Sequence, residues 1–133
     1  MLLGQLALPD LLEHLKNYPD YDADYQVDVD SLTSVLHFNK EITISVIIGT
    51  WCPDCHREIP RLAKVIDAIK GKNITVEYIG VDKQKTDPEN ISAQYQFERI
   101  PTIILHHDQQ ELGRIIEKPQ QSLEKDLVEI LTQ

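Results

Sequence analysis

Apolar residues recur at two different spacings along this chain, and the change of spacing separates helices from strands. Leu8, Leu11, Leu12 and Leu15 lie at helical intervals, and Pro9-Asp10 suit a first turn, so a short helix is expected over 8–17. Tyr18-Pro19-Asp20-Tyr21-Asp22 reads as a turn. A second helix is expected over 30–38, capped by Asp30 or Ser31, with Leu32, Val35 and Leu36 on one face. At Ile42 the pattern changes: ITISVII is rich in β-branched residues and mostly apolar, as in a strand buried on both faces. Gly49-Thr50-Trp51-Cys52 ends that strand. A helix follows from about 53 to 70, with Ile59, Leu62, Ile66 and Ile69 on its buried side and Gly71 closing it.

The second half repeats the alternation. A strand is expected over 74–81, then a helix opened by Asp87-Pro88-Glu89 and reaching Tyr95. Two strands over 101–106 and 111–117 flank a hairpin loop at Asp108-Gln109-Gln110, and a last helix runs over 122–131. A strand–helix–strand crossover predicts parallel strands, and the terminal hairpin adds antiparallel ones. The expected architecture is α/β: a mixed central sheet of about four strands with helices on both faces.

The chain has 133 residues, suited to one domain, and a formal net charge of -9. That charge repels a nucleic-acid backbone and an anionic bilayer surface, so neither partner is expected. No run of about 18 apolar residues occurs. The apolar N-terminus lacks a basic region and is broken by Pro9-Asp10, which argues against a secretory signal. The expected compartment is the cytoplasm, where a stable structural disulfide is unusual. The two cysteines, Cys52 and Cys55, stand three positions apart, a spacing that points to redox chemistry or metal binding.

Cys52 falls where a buried strand meets a helix. Free N–H groups and the positive end of the helix dipole favour a thiolate there, the attacking species in disulfide exchange. Pro53 suits the first helical position, where its missing N–H costs nothing. Cys55 follows almost one turn later, on the same side, so the pair can close a small disulfide. Cys52 is therefore expected to attack a target disulfide and Cys55, more buried, to resolve the mixed disulfide. Trp51 reads either as a flat apolar cover for the site or as a core tryptophan. Asp54 either disfavours the thiolate or simply stabilises the first helical turn. His56 and Arg57 read as solvated residues, with the alternatives of offsetting Asp54 or contacting an acidic partner.

Trp51-Cys52-Pro53-Asp54-Cys55 resembles the Trp-Cys-x-x-Cys centre of the thioredoxin family, with Pro-Asp as in thioredoxin-related proteins. Pro60 resembles the proline that kinks the family's active-site helix, Ile100-Pro101-Thr102 its Ile-Pro-Thr element, and Asp82 also fits the family pattern. The resemblance spans roughly residues 40–131. It implies a thioredoxin-like fold and a cis Pro101 beside the cysteines. It also implies docking of an extended substrate on the Ile100 backbone. The implied organisation is a helical N-terminal extension over 1–39 and a redox core over 40–133. The implied activity is disulfide reduction by the Cys52/Cys55 pair, with no bound cofactor. Its partners would be disulfide-containing proteins or small thiols, served by an upstream thiol reductase. Val46 stands where the family has a buried aspartate, and Tyr78 where it has that aspartate's lysine partner. Ile116-Glu117-Lys118-Pro119 lacks the family's glycine, and 25–29 is either a vestigial first strand or a loop.

Two other classes compete. One is a thioredoxin-fold interaction module with incidental redox activity, which the loss of the aspartate at Val46 favours. The other is metal binding by Cys52, Cys55 and His56 with His106 or His107, which is weak because structural zinc wants a closed set of four ligands. His106-His107 more simply end a strand and face solvent. A Cys–His nucleophile is disfavoured, because His56 neighbours Cys55 at a helix start.

Overall fold

The computed structural model describes residues 1–36, 38–69, 71 and 73–133. In chain order its strands and helices are β1 (Gly4–Leu6), α1 (Leu8–Leu15), β2 (Ile42–Ile48), α2 (Pro53–Ile69), β3 (Ile74–Gly80), β4 (Thr102–His107), β5 (Gln110–Ile116) and α3 (Leu123–Thr132). The sheet is mixed, five-stranded and ordered β1-β3-β2-β4-β5. β2 and β3 run parallel through the α2 crossover, while β1 and β4 run antiparallel to their neighbours, as does β5 to β4.

The fifth strand corrects the expected count of four. β1 has three residues and no measurable periodicity, and only its pairing of Gly4 with Gly80 and Leu6 with Tyr78 makes it a strand. Residues 1–39 therefore lend an edge to the sheet as well as a helix, and residues 25–28 carry no regular structure.

Two expected helices are shorter and tighter. Over 30–38 there is only a 3-10 turn, Asp30–Val35, with no side-chain cap from Asp30 or Ser31. Asp28 does that work by accepting the Ser31 N–H at 3.3 Å; His37 lies outside the described residues. In place of a helix from Asp87, a 3-10 turn spans Ser92–Tyr95. Asp87 accepts the N–H groups of Ile91 and Ser92, both at 2.9 Å, so its side chain satisfies donors that a helix would have used. α2 begins at Pro53 as expected and reaches Ile69; Lys70 lies outside the described residues. The hairpin tip has two left-handed residues, Asp108 (φ 51°) and Gln109 (φ 65°), the twist a two-residue hairpin needs. Ser122 caps α3 by accepting the Lys125 N–H at 3.0 Å.

Side chains alternate across the sheet. One face carries Ile42, Ile44, Val46, Ile48 and Tyr78, and Ala63 and Ile66 of α2 line a groove with Val76 and Tyr78. Gly113 of β5 lies on this side. A Cβ there would come within 3.0 Å of Ile130, so the missing side chain lets α3 lie close. The opposite face carries Ser45 and Glu77 and is covered by Tyr95 of the second 3-10 turn, so a short turn stands where a second layer of helix was expected.

Candidate dithiol site

The register of the central strands assembles the site. Ile47 of β2 pairs with Thr102 of β4, so Ile100-Pro101, just before β4, lies beside Gly49–Cys52, just after β2. The Ile100–Pro101 peptide bond is cis. Cys52 and Cys55 are both free thiols. Cys52 is 8% exposed and Cys55 0%, so the expected order of accessibility holds but the difference is small. The Sγ of Cys52 lies 3.8 Å from the Ile100 carbonyl oxygen.

The two thiols differ in acidity far more than in exposure. A hydrogen bond from the Cys55 thiol, aided by the backbone N–H groups of Cys55 and Asp54, outweighs burial and lowers Cys52 to about 6. Burial pushes Cys55 strongly upward, and the neighbouring Cys52 sulfur pushes it further. The Gly49 N–H, 3.4 Å from the Cys55 sulfur, opposes that rise only in part. One thiol is thus poised to ionise near neutral pH while the other stays protonated.

Asp54 plays a small part. Its charge raises both thiols, but less than burial does, and its Oδ1 is held 2.8 Å from Arg57 Nη2. Trp51 is half-buried, and its indole N–H donates to the Val81 carbonyl at 3.0 Å. It packs over Gly49, where a Cβ would stand 2.6 Å from the Trp51 ring and 2.8 Å from Ile100 Cδ1. Any side chain at position 49 therefore displaces both residues that flank the thiols.

Where the family has a buried aspartate and its lysine, Val46 and Tyr78 are direct cross-strand partners, 0% and 4% exposed. The charged pair is replaced by an apolar contact. Within the stretch 116–119, which lacks the expected glycine, Glu117 is in the left-handed region (φ 65°). Its N–H donates to the Pro101 carbonyl at 2.7 Å, and its carboxylate meets Arg99 at 2.9 Å. Asp82 serves its own loop, accepting the N–H groups of Gln84 and Thr86.

His56 corrects the sequence reading. It is 4% exposed; its Nε2 lies 2.7 Å from the Thr50 carbonyl, and its ring stacks on Tyr18 with centroids 3.7 Å apart. A histidine so engaged is not solvated, and its Nε2 is committed to the Thr50 carbonyl. His106 and His107 end β4 at the opposite end from Pro101, and His107 Nδ1 is taken by the Glu41 carbonyl. Arg57 is also engaged, donating to Glu58 as well as Asp54.

Sequence reasoning missed Thr50, Tyr18 and Glu58. Glu58 is 2% exposed and pairs through Oε2 with Arg57 at 2.6 Å, while its Oε1 has no hydrogen-bond partner. It forms part of a groove with Asp54, Arg57, Arg61 and Glu117. A glutamate at helical spacing after Cys55 carries no sequence signal of burial, because charged residues normally face water.

The fold and the two adjacent thiols together define a thiol oxidoreductase in general. The sequence matches the thioredoxin family over residues 10–129, and the chain belongs to that family. No curated protein matches it significantly in sequence. Among solved structures it is similar to a protein of unknown function from Pseudomonas aeruginosa, at 17% identity and a TM-score of 0.58, covering 94% of this chain and 80% of that one. It is similar to Trxlp from Edwardsiella tarda at 20% identity and a TM-score of 0.55, covering 81% and 96%. Mitochondrial thioredoxin 3 from Saccharomyces cerevisiae follows at 24% identity and a TM-score of 0.50, covering 75% and 87%. These likenesses show the fold.

Proposed function

We propose that the protein reduces disulfides of proteins or small thiols in the cytoplasm through a dithiol cycle at Cys52 and Cys55. The observation that carries this reading is the placement of two free thiols three residues apart where α2 begins, with the Cys52 sulfur 3.8 Å from the Ile100 carbonyl oxygen; the lowered Cys52 and raised Cys55 acidities agree with it. The Cys52 thiolate attacks one sulfur of the substrate disulfide and expels the other as a thiolate, which takes a proton from water. Cys55 then attacks Cys52 as its proton passes, directly or through water, to the departing sulfur, releasing the second substrate thiol and leaving the Cys52–Cys55 disulfide. Two electrons pass to the substrate, and an upstream thiol reductase returns them. Substrate would lie along the Ile100 backbone, with Trp51 and Pro101 flanking it. Pro53 starts the helix whose N-terminus favours the thiolate, and no bound cofactor is required.

The test is a pair of variants assayed against a protein disulfide. Cys52→Ser should abolish reduction, and Cys55→Ser should accumulate mixed disulfides that mass spectrometry identifies. A Cys55→Ser variant that turns over at the wild-type rate would rule out the dithiol cycle. An interaction module with incidental redox activity, favoured by the apolar Val46, would instead keep its cellular role with both cysteines replaced.

A further inference from the structure

Thr50 joins β2 to Trp51-Cys52 and is 1% exposed. It is held from two sides by groups that the dithiol cycle does not use. Its hydroxyl accepts the Leu2 N–H at 3.2 Å, and its carbonyl lies 2.7 Å from His56 Nε2. A carbonyl only accepts, so Nε2 carries the proton and His56 is the donor. Tyr18 fixes the ring plane, stacking at 3.7 Å with 15° between the planes. Both Leu2 and Tyr18 belong to the segment before β2.

The same turn sets the geometry of the thiols. The Gly49 N–H points at the Cys55 sulfur, and the Cys52 N–H donates to the Gly49 carbonyl at 3.0 Å. His56 follows Cys55 directly, and its own N–H donates to the Cys52 carbonyl at 3.1 Å. One residue therefore bridges the two ends of the segment that carries both cysteines.

We propose that His56 is a positioning residue of the dithiol centre, held in place by Tyr18, so that the N-terminal segment forms part of the redox site. This rests on the thiol–disulfide reading above. Through its bond to Thr50, His56 keeps residues 49–52 in the conformation that aims the Gly49 N–H at Cys55 and seats the Cys55 thiol against Cys52. Releasing Thr50 loosens that seat and weakens the hydrogen bond that favours the Cys52 thiolate.

The test is the ultraviolet thiolate titration of the reduced protein, well below its unfolding temperature, in four variants. His56→Leu removes the donor and Tyr18→Ala the stack. Each should raise the Cys52 midpoint by roughly half a unit to one unit. The thiolate fraction at pH 7 then drops from about nine-tenths to between about three-quarters and one-half, and because a less acidic thiolate is also the stronger nucleophile, the titration midpoint rather than the reduction rate is the readout. His56→Gln keeps an N–H of similar reach and Tyr18→Phe keeps the stack, so both should titrate near wild type. If one disruptive variant fails to fold, the other carries the measurement. Unchanged midpoints in the folded disruptive variants overturn the inference, because a purely structural role would lower stability alone. A wild-type protein that shows no low-pH thiolate and no disulfide reduction would instead overturn the functional reading on which it rests.

Discussion

Val46 and Tyr78 lie on the helix-covered face of the sheet, whereas Ser45 and Glu77, one residue earlier on the same strands, face Tyr95 of the Ser92–Tyr95 turn. The first pair is buried among Ile44, Ile48, Ile59 and Leu62, each fully buried. The second is joined by hydrogen bonds: the Ser45 hydroxyl donates to Glu77 at 2.7 Å, and the Tyr95 hydroxyl donates to the same carboxylate. At about 1.5–3 kcal/mol for each large side chain buried, the helix-covered face is where most of the stabilisation arises. The dithiol belongs to that face through α2. A dry surrounding is what separates the two acidities, since burial is the largest cause of the rise at Cys55. The loop-covered face lets polar groups reach partners and stays tolerant.

The most severe way to break this contrast is Val46→Asp, which puts a carboxyl opposite Tyr78 with no cationic partner in place. The expected cost is about 3 kcal/mol or more in urea unfolding. A cost under about 1 kcal/mol would mean that water reaches this face.

The next largest effect is in pH. Cys52 ionises at about 6 in the folded protein against an ordinary 9.0, so between those values the unfolded chain binds more protons than the folded one. The stability of the reduced protein should therefore rise as pH increases from about 6 to 9, and this contribution is lost as pH falls through 6. Solvent screening at the site mouth leaves a gain of about 2 kcal/mol from the full linkage. Above the ordinary thiol value the trend reverses, because Cys55 then ionises only in the unfolded chain. The oxidised protein should show neither limb, and denaturant titrations of both forms across this range provide the comparison.

Tyr95→Phe should have the smallest effect. It removes one of the two donors to Glu77 and leaves Ser45 in place, a loss of about 1 kcal/mol with disulfide reduction unchanged. A penalty equal to that of Val46→Asp would erase the distinction between the faces.

What could be read from the sequence follows the range of the forces involved. The ITISVII run, Pro53 at a helix start, the hairpin at Asp108-Gln109 and the closing helix all depend on neighbours within a few residues, and each appears close to its expected place. Asp87 misled because its carboxylate competes with the helix it was expected to open, taking the N–H groups of Ile91 and Ser92. The dithiol was legible for the same local reason: its spacing and its strand-to-helix position are one continuous segment.

The residues around it were not. β1 exists only because β3 offers it an edge, and three residues hold no pattern of their own. His56 reads as a solvated helix residue until Tyr18, 38 positions earlier, closes over its ring and the Thr50 carbonyl accepts its hydrogen bond. The sequence by itself determined which two sulfurs stand together at a helix start and which elements carry them, through local propensity and spacing. Only the tertiary structure decided how differently those sulfurs ionise, because burial and hydrogen bonding depend on groups that the chain brings together from far apart.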